Sequence, residues 1–323
     1  MELVTLEEIR AARERIKRAA RFTPLIDVPW PGGSSQTLWL KLESLQPVGA
    51  FKIRGAFNMI AQLPKESLER GVITYSSGNH GQAVALAAKM VGTPAVIVMP
   101  TTAPAVKIDG CRSFGAEVIM EGTTSVDRQR RAEHEAQARG LTIVPPFDHK
   151  QIIIGQGTMG LEILEQRPDL GTVVVPVGGG GMASGVAAAI KLSKPSVRMI
   201  AVEPAGAPKM STSLAAGTPT TLPSSKSIAD GLMNLRPGDI TFAHIRQFVD
   251  EVVTVEEDEI ARAVAWLFRN ARLVAEPSGA VTTAAVAKGA GHIDPANGAV
   301  VAVVSGGNVA PDAFAKYVSG LPA

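Results

Sequence analysis

The chain has 323 residues, 46% of them apolar and 4% aromatic, with a formal net charge of +2 and a mean hydropathy of +0.16; this excludes a disordered chain and allows one large or two medium domains with substantial cores. There is no basic stripe with stacking aromatics and no uninterrupted apolar run of about 18 to 20 residues, so neither nucleic-acid binding nor a membrane span is expected; the best candidate span is broken by Lys89, Gly92 and Pro94. The single Cys111 excludes an internal disulfide framework and fits a reducing cytoplasm.

Thr5 with Glu8 reads as a helix-capping box, and the basic stretch 10–21 that follows, with Glu14 inside it, reads as an amphipathic surface helix and not a transit peptide. Lys52 stands among Phe51, Ile53 and Ala56. Either its stem packs while its head reaches solvent, or the apolar setting lowers its pKa and leaves an amine able to carry an aldehyde cofactor. Residues 71–77 read as a strand, 78–81 as a glycine turn, 82–90 as an alanine-rich helix and 95–99 as the next strand, one βαβ unit. A second unit has its strand at 172–177, turn at 178–181, helix at 182–192 and next strand at 198–203. A further buried strand at 300–304 ends in Ser305-Gly306-Gly307-Asn308. Strands apolar on both faces imply parallel sheets covered by helices, with ligands at the glycine turns. The pair Pro145-Pro146 marks a point for the chain to pass between domains.

The turn Gly178-Gly179-Gly180-Gly181 carries the strongest phosphate signal. Four glycines before a helix let successive N–H groups converge on an anion, and their cost in chain entropy argues against filler. A dinucleotide is one candidate, because Glu203 lies 22 residues beyond Gly181, near the spacing of about 20 for a ribose-binding acid. Ser184, however, stands where the third glycine or alanine of that fingerprint belongs. Ser76-Ser77-Gly78-Asn79-His80-Gly81 offers hydroxyls, an amide and backbone donors suited to a carboxylate, or to helix capping alone. His80, His134, His149, His244 and His292 form no metal-ligand spacing, with or without Cys111, and no nucleophile elbow or P-loop occurs. On these residues a dinucleotide-dependent oxidoreductase and a non-catalytic nucleotide-binding module both stay open.

Four motifs then occur together in one order: Gly49-Ala50-Phe51-Lys52-Ile53-Arg54-Gly55-Ala56, Ser76-Ser77-Gly78-Asn79-His80-Gly81-Gln82, Gly178-Gly179-Gly180-Gly181-Met182 and Ser305-Gly306-Gly307-Asn308. In this the chain resembles the threonine dehydratase and serine racemase family, pyridoxal-phosphate enzymes of the tryptophan-synthase-β fold, fold type II. The resemblance continues through Phe147-Asp148-His149, Ile154-Gly155-Gln156-Gly157-Thr158 and Glu276-Pro277-Ser278-Gly279. It implies two open α/β domains with mainly parallel sheets and the active site in the cleft between them. Residues 1–66 with 149–323 form the large cofactor-binding domain and 67–148 the small one. It also implies pyridoxal 5'-phosphate as cofactor, a homodimer, and conversion of a β-hydroxy-α-amino acid of the L-threonine or L-serine type to a 2-oxo acid and ammonia.

By the same resemblance Lys52 forms the Schiff base and, once displaced by substrate, removes the α-proton, while the cofactor phosphate protonates the departing hydroxyl. Gly178, Gly179, Gly180 and Gly181 hold that phosphate, Asn79 the ring hydroxyl, Phe51 the ring face and Ser305 the ring nitrogen, with Met182, Glu276 and Gly306 alongside. A serine there donates without enforcing a pyridinium, which favours prompt β-elimination. Ser76, Asn79 and His80 hold the substrate carboxylate. Arg128 assists them as in the racemases, or forms a solvated helix face with Arg130 and Arg131. Ser77 occupies the second-base position of the serine racemases.

Two departures bear on substrate and metal. Ala50 replaces the serine usual before Phe-Lys and Ile154 the alanine usual before Gly-Gln-Gly-Thr. With Phe147 near the side-chain end of the pocket, they suit a bulkier substrate such as phenylserine, or one of the hydroxyectoine or hydroxyaspartate type. Metal-activated members place an aspartate six residues after the glutamate of Glu203-Pro204, where this chain has Lys209, so no divalent-ion activation is expected. Either the Lys209 ammonium replaces the ion as counter-charge to Glu203, or Lys209 is exposed and the site is absent.

Overall fold

The computed structural model describes residues 2–33, 35–76, 78–103 and 105–320. The chain opens with α1 (Leu6–Ile16), β1 (Leu25–Pro29), β2 (Thr37–Leu42), α2 (Ile53–Ile60) and α3 (Lys65–Arg70). It continues through β3 (Val72–Tyr75), α4 (Asn79–Val91), β4 (Ala95–Met99), α5 (Ala105–Ser113), β5 (Glu117–Met120), α6 (Ser125–Arg139) and β6 (Thr142–Ile143). Then come α7 (Lys150–Gln166), β7 (Leu170–Pro176), α8 (Gly181–Ser193), β8 (Arg198–Pro204) and α9 (Lys209–Ala216). The last elements are α10 (Asp239–Phe248), β9 (Glu251–Val255), α11 (Glu257–Ala271), α12 (Pro277–Lys288), β10 (Ala299–Val304) and α13 (Pro311–Ser319). The capping box that opens α1 is formed, with Thr5 N donating to the Glu8 carboxylate at 2.9 Å and Glu8 N to the Thr5 hydroxyl. Among the described residues no helix is long and apolar enough to cross a membrane.

Two sheets result, giving the mixed α/β class with mainly parallel strands. The larger runs β1-β2-β10-β7-β8-β9 and is parallel except where β1 meets β2; the smaller, β5-β4-β3-β6, is parallel throughout. Along β7, Val173 and Val175 enter one core and Val174 the other; along β10, Val301 and Val303 enter the first, and Val300, Ala302 and Val304 the second. Burial on both faces is what a helix-covered parallel sheet requires. In the smaller sheet Ile97 and Met99 pack with α2 and α4, whereas Val96 and Val98 pack with Ala132 of α6.

Strand β3 ends at Tyr75 and α4 already begins at Asn79, so Asn79, His80 and Gly81 form the first turn of a helix instead of a loop. Glycine permits the tight entry, because a Cβ at Gly81 would overlap the Ser76 carbonyl oxygen. Helix α7 is crossed closely on two sides. A Cβ at Gly155 would overlap Gly55 and the Arg54 backbone in α2, and one at Gly157 or Gly160 would press on the Gly185 or Val186 carbonyl of α8. Those contacts set Lys52, just before α2, and the glycine turn, just before α8, on the same support.

Arg54 is fully buried in the first turn of α2. Its Nε and Nη2 donate to Glu43 at 2.7 and 2.8 Å, and its Nη1 and Nη2 to Glu162 at 2.7 and 2.8 Å. Lys41 Nζ donates to Glu162 at 2.7 Å, to Thr23 O at 2.7 Å and to Gln166 at 2.9 Å. Two cations and two carboxylates thus clamp β2, the single turn Glu43–Leu45, α2 and α7 together. Buried ions tolerate desolvation only when each is paired and hydrogen-bonded. Glu162→Ala leaves Lys41 and Arg54 sharing one carboxylate and is expected to lower stability by about 3 to 5 kcal/mol in urea unfolding; a loss below about 1 kcal/mol, the scale of an exposed pair, contradicts the clamp.

Candidate active site

Lys52 is the residue at which the chain enters α2. Its approach is fixed by the end of β10: Phe51 N donates to Ser305 O at 3.1 Å, and Ala50 bridges to Gly306 in antiparallel fashion. The Lys52 ammonium donates to Pro146 O at 2.6 Å and lies 5.2 Å from the centroid of the Phe51 ring. Burial, opposed by the negative charge of Glu276, lowers its pKa from 10.5 to about 8. The head is hydrogen-bonded within the fold, and the half-buried side chain presents an amine that deprotonates more readily than an ordinary surface lysine.

The tetraglycine turn joins β7 to α8. Gly180 has φ 105°, a left-handed geometry that glycine adopts without strain. A Cβ at Gly179 would overlap the Phe147 ring, and one at Gly180 would overlap Thr241. The turn is therefore closely flanked while its N–H groups lead into the α8 N-terminus, an arrangement suited to a phosphate. Thr241 Oγ1 and Gly238 N both donate to Gly179 O, at 2.6 and 3.2 Å. The helix supplying Thr241, α10, is itself capped by Asp148, which accepts from the N–H groups of Asp239, Ile240 and Thr241 at 3.0, 3.0 and 3.1 Å. Phe147, expected at the side-chain end of the pocket, packs against the glycine turn. The dipeptide Phe147-Asp148 thereby covers the turn and fixes the helix behind it. Neither Asp148 nor Thr241 was legible beforehand, because a cap made between residues 91 to 93 positions apart leaves no local spacing.

On the side of the smaller sheet, Asn79 Nδ2 donates to Glu276 Oε1 at 2.7 Å, while its Oδ1 accepts from Asn308 Nδ2 at 2.8 Å. Glu276 is the residue before α12. Burial, reinforced by Asp230, raises its pKa to about 8, so it is largely protonated at neutral pH. Gly306 is required beside it, since a Cβ there would overlap Glu276 Oε1. His80 Nε2 lies 3.0 Å from Val144 O; a carbonyl can only accept, which assigns the proton to Nε2. Burial, then the Lys52 charge, lowers the His80 pKa to about 3, so the ring is neutral. Ser76 Oγ accepts from Gly78 N at 3.3 Å, and Ser305 Oγ donates to Ser278 O at 3.4 Å.

The other expected residues separate. Met182 is buried in the core of the larger sheet. Arg128 lies on α6, its Nε without a partner among the described residues, and none of its described hydrogen bonds reaches Ser76, Asn79 or His80. Ser77 lies outside the described residues. Ile154, expected to make the pocket more apolar, is buried in the core of the larger sheet with Met159 and Val175, because α7 turns that face toward α8. Lys209 is fully buried with its Nζ 3.4 Å from Glu203, so the expectation of an exposed lysine is not met. Among the described residues no group of three or more His, Cys, Asp or Glu side chains forms a metal-ligand set.

A family profile described as pyridoxal-phosphate dependent enzyme matches residues 16–306. The chain is 43% identical over 311 residues to the L-threonine ammonia-lyase of Thermotoga maritima, covering 95% of this chain and 76% of that protein. It is 40% identical over 308 residues to a serine racemase of Oryza sativa subsp. japonica, covering 94% and 91%. Among solved structures, maize serine racemase superposes with a TM-score of 0.91 at 37% identity, covering 99% of this chain and 98% of that one. The processed form of threonine deaminase isoform 2 from Solanum lycopersicum gives 0.90 at 37% identity, covering 98% and 88%. An amine of lowered pKa has a direct use in enzymes of this kind, and the match runs through each segment that positions it: the chain belongs to the pyridoxal-phosphate dependent enzyme family, with the fold type II architecture.

Proposed function

We propose that this protein is a dehydratase, or ammonia-lyase, that converts a small L-β-hydroxy-α-amino acid such as threonine or serine to the 2-oxo acid and ammonia. The observation that carries the reading is the half-buried Lys52 amine, with a pKa of about 8, hydrogen-bonded to Pro146 O beside the Phe147 that covers the glycine turn. The 43% identity to a threonine ammonia-lyase supports the reaction class. A homodimer in the cytoplasm completes the reading, on the sequence resemblance and the buried Cys111.

The residues fit pyridoxal phosphate. Lys52 offers an amine to an aldehyde, the 178–181 turn offers N–H groups to a phosphate, and Asn79 and Ser305 offer uncharged hydrogen-bonding groups to a ring. When bound, the cofactor supplies an electron sink that acidifies the substrate Cα–H. The freed Lys52 amine accepts that proton at Nζ, and Pro146 O, 2.6 Å away, holds the ammonium that results. The first turn of α4 presents backbone N–H groups that suit the substrate carboxylate. Because His80 stays neutral beside them, no second cation competes with protonation of Lys52. Water leaves from Cβ and is taken up again when the released imine hydrolyses, so the net products are one 2-oxo acid and one ammonia.

A 2-oxo-acid release assay with threonine, serine, threo-phenylserine and 3-hydroxyaspartate tests the reading. Threonine or serine is expected to give the highest kcat/KM with equimolar ammonia; no product from any of the four overturns the reading, and dominance of phenylserine or hydroxyaspartate moves the substrate class. Lys52→Ala is expected to lose the near-visible absorbance of the loaded enzyme and to lower kcat by about 10³-fold or more.

The pH dependence follows from the same amine. Cofactor uptake by the unloaded protein requires the unprotonated form, so its rate is expected to fall about tenfold per pH unit below a midpoint near 8. Glu276, with a pKa of about 8, carries its charge only in the upper part of this range, where that charge raises the Lys52 pKa; Glu276→Gln removes it, so the midpoint shifts downward in stopped-flow absorbance, and an upward shift contradicts the assigned electrostatics.

A second reading, minor racemisation, is favoured by Ser77 and by the 40% identity to a serine racemase. Ser77→Ala is expected to abolish D-isomer formation, followed by chiral chromatography, while dehydration stays largely intact. Unchanged D-isomer formation removes Ser77 from that role.

A further inference from the structure

Lys209 is the first residue of α9 and is fully buried at the C-terminal ends of β7 and β8. Its Nζ donates to Val177 O at 2.9 Å and to Ala207 O at 3.1 Å, and stands 3.4 Å from Glu203 Oε2. Glu203 is equally buried and accepts from Met210 N at 2.9 Å, Ser211 N at 2.8 Å and Ser211 Oγ at 2.6 Å. The carboxylate thus caps α9, and the ammonium is left to balance its charge and to bind two carbonyl oxygens.

Val177 is the residue before the tetraglycine turn, and its own N–H donates to Val202 O at 2.8 Å. The peptide that launches the turn is therefore held on one side by β8 and on the other by the ammonium. Two carbonyls and a carboxylate around one positive centre are the ligands that a small bound cation takes. Here the positive centre is delivered on a side chain. The set does not fit a divalent ion, since Lys209 fills the position between these oxygens and carries the same sign of charge.

We propose that the Lys209 ammonium is a tethered cation that sets the position of the phosphate-holding turn, so that the turn takes its shape without a free metal ion. Lys209 is in this role a positioning residue. The inference rests on the reading that the 178–181 turn holds the cofactor phosphate.

The test uses the full chain with and without pyridoxal phosphate. Lys209→Ala opens a cation-sized space and is expected to lower the melting temperature of the unloaded protein and to weaken cofactor binding about 10- to 100-fold, the scale seen when a supporting partner of a bound group is lost. Ammonium or methylammonium is expected to restore both quantities saturably, whereas tetramethylammonium at equal ionic strength restores neither. The double variant Lys209→Met with Glu203→Gln leaves no unpaired buried charge; it is expected to fold, to bind the cofactor weakly and to show no rescue. Wild-type cofactor affinity in the double variant, a folded Lys209→Ala that no small cation rescues, or stimulation of the wild-type enzyme by magnesium with loss in EDTA would each overturn the proposal. If the wild-type protein takes up no pyridoxal phosphate, the functional reading falls alone, and ammonium rescue of the melting temperature still decides whether Lys209 is a tethered cation.

Discussion

The structure depends on taking the Lys52 ammonium out of water. A buried ammonium must find several acceptors or give up its proton, and three lysines drawn into the packing meet that demand differently. Lys41 donates to Thr23 O, Glu162 and Gln166, and Lys209 to two carbonyls with a carboxylate close by. Lys52 has one described acceptor, Pro146 O, and its nearest counter-charge is a glutamate that burial itself pushes toward the neutral form. Burial lowers all three pKa values. For Lys52 the fall from 10.5 to about 8 corresponds to about 3 kcal/mol against the charged form. The proposed chemistry falls to the lysine with the fewest described acceptors.

An amine held in that state moves to water unless its backbone is fixed. The Arg54 clamp, two residues on, serves this purpose: it ties the first turn of α2 to β2 and α7 through Glu43 and Glu162, with all four charges inside the fold. The Gly155 crossing removes the slack between α2 and α7, and the Phe51–Ser305 bond ties the entry of α2 to the end of β10. The glycine turn is restrained by the same means. Four flexible residues are costly to order, and Thr241, Gly238 and Val177 supply the fixed points, with Asp148 and Lys209 holding those in turn.

Much of this was legible in the sequence wherever function depends on local composition. The apolar neighbours of Lys52, the tetraglycine run and the alanine-rich helix 82–90 each announce themselves within a few residues, as do the parallel strands 172–177 and 300–304, whereas the true start of that helix at Asn79 does not. Nor do strands β1 and β2, since Asp27 and Lys41 interrupt their short apolar runs. The supporting interactions are also hidden, because Asp148 with α10, Arg54 with Glu162 and Asn79 with Glu276 pair residues far apart in sequence. Charged residues such as Lys41, Arg54 and Lys209 carry the opposite expectation, exposure, and only tertiary pairing reverses it. Ile154 illustrates the converse: an apolar substitution beside a motif reads as pocket lining, yet the helix turns it into the core.

The electrostatics around Lys52 also bear on why relatives of this chain include both a lyase and a racemase. His80 is neutral, Glu276 is largely protonated near pH 7, and Ser305 stands as an uncharged donor where the resemblance places the ring nitrogen's partner. Lys52 and Glu276 both titrate near pH 8, so below that pH the neighbours of the Lys52 amine are uncharged. In the proposed mechanism both reactions begin with removal of the α-proton by Lys52, and the same neutral surroundings serve that step in each. They part afterwards: in one, a proton returns to Cα from the opposite face; in the other, the β-hydroxyl departs while the proton remains on Lys52. A single hydroxyl on the far side can therefore shift the balance between the two outcomes without any change in the residues that hold Lys52.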